Sequence, residues 1–355
     1  MSYTQVGRKN ILLGSLTLLI VIIGGLYIVK WDPYFHKALS AASSHSIGES
    51  IVSSKGATPP APSLAAALDY AGTYFLAVWK ALVLGLLVGS GVQALLPREW
   101  LTKALGKAGL GSTTTAAALA VPSMMCTCCA APVTLGLRKC RASAGAAAAY
   151  LVGNPMLNPA TIVFMAFVLG WEWSALRIAV ALILVFGVAF LGDRFAPGET
   201  DVTRTPEVAG AESMEASSEG NPWVRWMKTL AKMSIVLLPE YAVVVLALGV
   251  ARAFIFPYVD VTVGNSLLLA VWLAIGGTLF VIPTAAEIPI VQGLLSAGLG
   301  PLGAGVLLTT LPAISLPSLL MAKQELPTRV LLAVAGSVVL MGLLTGVIAL
   351  AFGFS

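Results

Sequence analysis

The sequence predicts an all-α polytopic membrane protein: two inverted-topology repeats with broken or re-entrant helices, plus one extra N-terminal transmembrane helix. Three observations predict it. The composition is too apolar for a soluble surface, long apolar runs alternate with short basic clusters, and one motif order recurs across an acidic linker. Hydrophobic residues form 58% of the chain and charged residues 10%, against about 25% charged in soluble domains. A net charge of +5 would suit nucleic acid if the cations shared one face. They sit instead in clusters between apolar runs, as the positive-inside rule expects, so no nucleic-acid partner is expected.

The first apolar run, Ile11 to Val29, follows Arg8 and Lys9. A signal peptide is the alternative, but the run exceeds the usual 7–15-residue apolar region of such peptides. An uncleaved span with a cytoplasmic N-terminus is expected. The chain then divides into a transmembrane helix (1–30), an extracytoplasmic loop (31–63), membrane repeat 1 (64–192), a flexible cytoplasmic linker (193–229) and membrane repeat 2 (230–355). The linker carries Asp193, Glu199, Asp201, Glu207, Glu212, Glu215 and Glu219 among Pro, Gly, Ser and Thr, a composition that cannot bury enough apolar surface to order itself. Trp171 and Trp173 read as interface anchors, with Glu172 and Arg177 beside them at a membrane boundary.

The repeat shows in several matches. Pro132-Val-Thr-Leu-Gly136 parallels Pro289-Ile-Val-Gln-Gly293, Thr127 falls opposite Thr284, and Pro155-Met-Leu-Asn-Pro159 parallels Pro312-Ala-Ile-Ser-Leu-Pro317. A nearly constant offset in one order indicates duplication. If the segment before each Pro pair is a re-entrant hairpin, the second copy begins on the opposite side of the membrane from the first. Counting every segment as a full span is the alternative. Inverted repeats with broken helices mark secondary transporters, whose solute sites lie at the repeat interface.

Proline in a spanning helix removes a donor and clashes with the preceding turn. In lipid such breaks persist only where protein or a polar cavity satisfies the freed carbonyls. Pro132, Pro155, Pro159, Pro283, Pro289, Pro312 and Pro317 are the expected helix-break positions, simple kinking being the alternative. Asn154, Asn158, Thr284 and Ser315 are expected to line a polar pathway with Thr127. Glu287, an acid in an apolar stretch, is expected to couple transport to protons.

Cys126, Cys128 and Cys129 crowd together, with Cys140 close behind. Thiolates favour soft ions, so the three form a tentative soft-metalloid site. The bland alternative is three small apolar side chains. Structural zinc is disfavoured, because His36 and His45 both lie in the expected outer loop. No nucleotide motif appears and no cofactor is expected.

The run CTCCAAPVTLGLRK, an Ala-rich helix and NPMLNP resembles the Cys-x-Cys-x-x-x-Pro-Val and Pro-x-x-Asn-Pro signature of a bacterial and archaeal predicted-permease family. That family includes the trivalent organoarsenical efflux permeases. PIVQGLLSAGLG and PAISLP resemble its second signature, so the resemblance spans about 65–170 and 230–350. It implies an inner-membrane permease rather than an enzyme, with Cys126, Cys128, Asn158 and Pro159 at signature positions. Cys129 is an extra thiol where members often carry a small residue. The expected partners are membrane lipid and a small solute such as an As(III) compound, and a homo-oligomer is left open. A permease for a sulfur-containing or other small anion, and a membrane thiol oxidoreductase, are the alternatives.

Overall fold

The computed structural model describes residues 3–48, 63–196, 221–255 and 266–354, with side chains described from residue 13 to residue 251 and from 266 onward within those ranges. Among the described residues every regular element is helical. Seven helical stretches are long and apolar enough to cross a membrane, so the chain is a multi-pass membrane protein. Their outer faces carry bare apolar side chains such as Leu76, Ile235, Leu332 and Leu340, which suit lipid rather than water.

The first span is longer than its apolar run suggests. Helix α1 (Tyr3–Leu26) passes through a π-helical turn (Tyr27–Trp31) into α2 (Asp32–Ser44). The expected loop from residue 31 is therefore helical as far as Ser44. The cause is local. Pro33 would break a regular helix, and the π turn directly before it shifts the backbone pairing, so that the Asp32 N–H bonds the Tyr27 carbonyl. His45, in the left-handed region at φ 50°, ends α2.

Helix α3 (Leu64–Leu95) is capped by the Ser63 side chain and ends at Leu96, held extended by the following Pro97. After a short helix, α4 (Arg98–Leu105), comes a helical hairpin of α5 (Leu110–Ser123) and α6 (Thr127–Lys139). Fourteen residues of α5 rise about 21 Å, short of the roughly 30 Å hydrocarbon layer. A broken span follows, α7 (Ala144–Met156) and α8 (Pro159–Val168), then the unbroken α9 (Trp171–Phe195).

The second half has the same order: α10 (Pro222–Ile255), α11 (Leu267–Leu279), α12 (Glu287–Ser296), α13 (Pro301–Ala313), α14 (Leu316–Ala322) and α15 (Thr328–Ala351). Four helix starts recur at one spacing: Leu110 and Leu267, Ala144 and Pro301, Pro159 and Leu316, Trp171 and Thr328 are each 157 residues apart. Between the halves, 193–195 and 222–229 of the expected linker are helical, and 197–220 lie outside the described residues.

The hairpin is seated by small residues. Gly85 and Gly89, one turn apart on α3, face the α6 backbone. A Cβ on Gly85 would lie 2.2 Å from the Cys129 carbonyl oxygen, and one on Gly89 2.3 Å from that of Pro132. Only glycine permits that approach, the small-residue packing common in membranes. It fixes the cysteine-bearing hairpin against α3.

Candidate functional site: an enclosed cavity at the helix breaks

Met124 adopts the left-handed region (φ 49°) and Cys126 is extended (φ −74°, ψ 164°), so the chain unwinds between α5 and α6. That irregular turn brings the three sulfurs together, which a continuous helix would not do for neighbours two apart. Cys126 Sγ lies 3.1 Å from both Cys128 Sγ and Cys129 Sγ. All three are at most 5% exposed, and the group has the make-up to hold a soft metal or metalloid. Tyr74 Oη on α3 sits 3.1 Å from Cys128 Sγ and accepts a 2.7 Å bond from Tyr241 Oη on α10. A hydrogen-bonded chain therefore runs from the thiols across the contact between α3 and α10.

The unwound turn faces its counterpart in the second half. Between α11 and α12 the chain is irregular from Phe280 to Ala286, with Ala285 at φ 68°, and the Tyr70 hydroxyl donates to the Val281 carbonyl there. Cys126, Thr127, Pro155, Thr161, Thr284, Glu287 and Ser315 line one cavity between these segments. Its free space is about 10 Å³, of the order that holds one water. Thr127 Oγ1 and Ser315 Oγ are 3.3 Å apart across it.

Two charged side chains that sequence reasoning set elsewhere belong here. Arg177 is 4% exposed and forms a 3.1 Å ion pair with Glu287, itself 1% exposed. The boundary expected for Arg177 is thus replaced by the protein interior. The guanidinium also donates to the carbonyls of Pro155 (2.8 Å), Met156 (3.3 Å) and Leu308 (3.0 Å). Pro159 and Pro312 stand four residues after Pro155 and Leu308 and have no N–H to give those carbonyls. Arg177 supplies the missing donors at one broken span of each half.

Lys30, the last residue of the expected first span, is 4% exposed and donates to Thr284 Oγ1 at 3.1 Å. Trp31 beside it donates from Nε1 to the Pro122 carbonyl at 2.8 Å. The π turn therefore ties the first span to both unwound segments. A lysine inside a span that extends on both sides was the available signal. The outward-loop reading of residues 31–63 hid it.

Other expected residues fall differently. Asn158 caps α8 by accepting from the Ala160 and Thr161 N–H groups, and Asn154 Nδ2 donates to the Tyr150 carbonyl. Both are fully buried and neither lines the cavity. Asn154 Oδ1, Asn158 Nδ2 and Glu287 Oε2 have no protein partner. Pro132 lies inside α6 rather than at a break, and Pro289 occupies the first turn of α12, where a missing N–H costs little. Pro155, Pro159, Pro312 and Pro317 flank the two broken spans, and Pro283 lies in the irregular stretch before α12. Trp171 is exposed as an anchor should be, whereas Trp173 is buried edge-on against Phe354 at 5.1 Å.

These features define a polytopic membrane protein with a polar, thiol-bearing cavity enclosed within its helices. The chain matches a family described as predicted permease over residues 10–139 and 63–350, and it belongs to that family. It is 46% identical over 333 residues to the UPF0718 protein YraQ of Escherichia coli (strain K12), covering 94% of each chain. No solved structure matches it. Membership in a permease family points to a transporter rather than an enzyme.

Proposed function

We propose that the protein is a secondary-active permease of a prokaryotic cytoplasmic membrane that exports a small thiophilic solute, such as a trivalent organoarsenical, by alternating access. One observation carries the reading. Three thiols converge at an unwound hairpin tip, and one of them, Cys126, lines a cavity together with Thr284, Glu287 and Ser315 of the second half. A dihydroxy solute R–As(OH)2 would exchange both hydroxyls for two of these thiols, forming two As–S bonds and releasing two waters. Glu287 has one oxygen on Arg177 and one without a partner, an arrangement suited to taking up a proton as the cavity opens.

The alternation is assigned to two repeats, 64–192 and 230–355. Each has three full crossings and one hairpin, and an odd number of crossings inverts the next copy. The 157-residue recurrence of helix starts supports the duplication. So does the packing: α3 lies against α10, α7 against α13 and α9 against α15, each helix meeting its own equivalent, while α6 meets α14 as α12 meets α8. Reciprocal contacts of this kind are what a twofold relation produces. The polar ends agree. Arg138 and Lys139 reach Glu325, and Arg225 reaches the Ala94 carbonyl, so the basic clusters share one face, assigned to the cytoplasm by the positive-inside rule along with the N-terminus.

Cells lacking their own arsenical exporters provide the test. Expressing this chain should lower accumulated phenylarsenite several-fold, and Cys126→Ser or Cys128→Ser should abolish the effect. Undiminished efflux by both variants would remove thiol capture from the account.

A further inference from the structure

Among the described residues, Lys30 is a buried cation that no carboxylate pairs with. It is 4% exposed, its Nζ donates to Thr284 at 3.1 Å, and it lies 5.2 Å over the Tyr34 ring. The acid at the cavity, Glu287, is matched by Arg177. Asp32, two residues on in the chain, is half exposed and faces His36. Among the described residues no salt bridge includes Lys30. The fixed charges around the cavity therefore leave one positive charge over, in surroundings where a lone ion is costly.

The placement puts that charge to use. An ammonium has three donors, and Thr284 takes one of them. Because Thr284 Oγ1 accepts from Lys30, its own hydrogen is free for an acceptor in the cavity that Thr284 and Cys126 both line. The cavity thus offers the Cys126 thiol, backed by Cys128 and Cys129, and a cation-backed hydroxyl at Thr284.

We infer that Lys30 is the counter-charge for cargo carrying one negative charge, so that the site selects small thiophilic monoanions over neutral thiophiles. The soft centre of the solute would lie at the cysteines and its anionic group at Lys30 and Thr284. This inference rests on the thiophile-permease reading above, and goes beyond it by fixing the charge of the cargo.

Two probes that differ by one carboxylate test it: phenylarsine oxide and 4-carboxyphenylarsine oxide, with affinity and proteoliposome flux measured for the purified protein. The wild type should favour the carboxylate by about tenfold or more, as expected for one added charge pair in a buried site. Lys30→Met should erase that preference, the carboxylate probe losing about tenfold more affinity than the neutral one, and Lys30→Arg should keep it. Lys30→Gln repeats the comparison with a donor retained, and gel filtration establishes that each variant is folded. Equal weakening of both probes by Lys30→Met, or equal affinity of the wild type for both, overturns the inference and leaves the permease reading standing. A wild type that carries neither probe removes both.

Discussion

Arg177 and Glu287 hold each other at 3.1 Å, almost completely buried, and the equivalent positions 157 residues away are Val334 and Ala130. The ion pair therefore breaks the likeness of the two halves. It gives one polar, chargeable contact to a centre that is otherwise nearly self-similar, and it joins the broken span α7–α8 to α12 and α13.

Arg177 serves four acceptors and Glu287 one cation, so their removal should not cost the same. Taking one partner from a buried pair destabilises by about 3–5 kcal/mol. Arg177→Met additionally strands the Pro155, Met156 and Leu308 carbonyls. Thermal unfolding in detergent should therefore rank wild type above Glu287→Gln, and Glu287→Gln above Arg177→Met. Equal midpoints for the two variants would mean that the carbonyl bonds contribute nothing.

The same site shows what the sequence reveals and what it hides. Composition and apolar runs were enough for the membrane class, and the proline pairs marked both broken spans. Cys126, Thr127, Thr284, Glu287 and Ser315, which the structure gathers around one cavity, stand out in the sequence as polar or thiol side chains in apolar stretches. Lys30 and Arg177 were missed because each sits near the end of an apolar run, where a charge ordinarily costs little. Only the π turn at Tyr27–Trp31 and the tertiary packing bring them inside. Tyr74 and Tyr241 carried no local signal, since aromatic residues in spanning helices are common. Asn154 and Asn158 each use one amide atom on neighbouring backbone and leave the other, Asn154 Oδ1 and Asn158 Nδ2, without a protein partner, and neither lines the cavity.

The seat of the hairpin makes its own prediction. Gly89→Ala places a methyl 2.3 Å from the Pro132 carbonyl oxygen. Overpacking of this kind costs about 1–3 kcal/mol, and here it must lift α6 and with it the cysteines. The variant should show a lowered unfolding midpoint and weakened phenylarsenite binding together. Normal binding with a normal midpoint would show that α3 does not position the thiols.

Cys140 lies outside the spanning segments, and burial pushes its thiol from the usual 9.0 up to about 11. Only the thiolate reacts, so two units cut the reactive fraction by roughly a hundredfold near neutral pH. In a chain with Cys126, Cys128 and Cys129 replaced by Ser, maleimide at pH 7.5 should label Cys140 about a hundred times more slowly than free cysteine. Rapid labelling would place Cys140 in a far more open setting.

Glu325, in the turn between α14 and α15, is held above the usual carboxylate range by burial, with Lys139 and Arg138 opposing the shift. A raised folded value means the folded protein binds the proton more tightly. The contribution of Glu325 is then most favourable below its ordinary value of 4.5 and is lost as pH rises through the higher folded value. At neutral pH Glu325→Gln should leave the unfolding midpoint unchanged or raise it. A clear fall would show that the 3.8 Å contact with Lys139 outweighs burial.

The central claim is that the chain by itself carries a thiophilic solute through the cavity between the helix breaks, driven by a proton gradient. Flux of phenylarsenite through proteoliposomes holding only this protein, with and without an imposed pH difference, tests it most directly. The account predicts saturable flux that follows the gradient, loses that dependence in Glu287→Gln and disappears in Cys126→Ser. Flux no greater than in protein-free liposomes, or wild-type flux untouched by the gradient and by loss of Cys126, would contradict it.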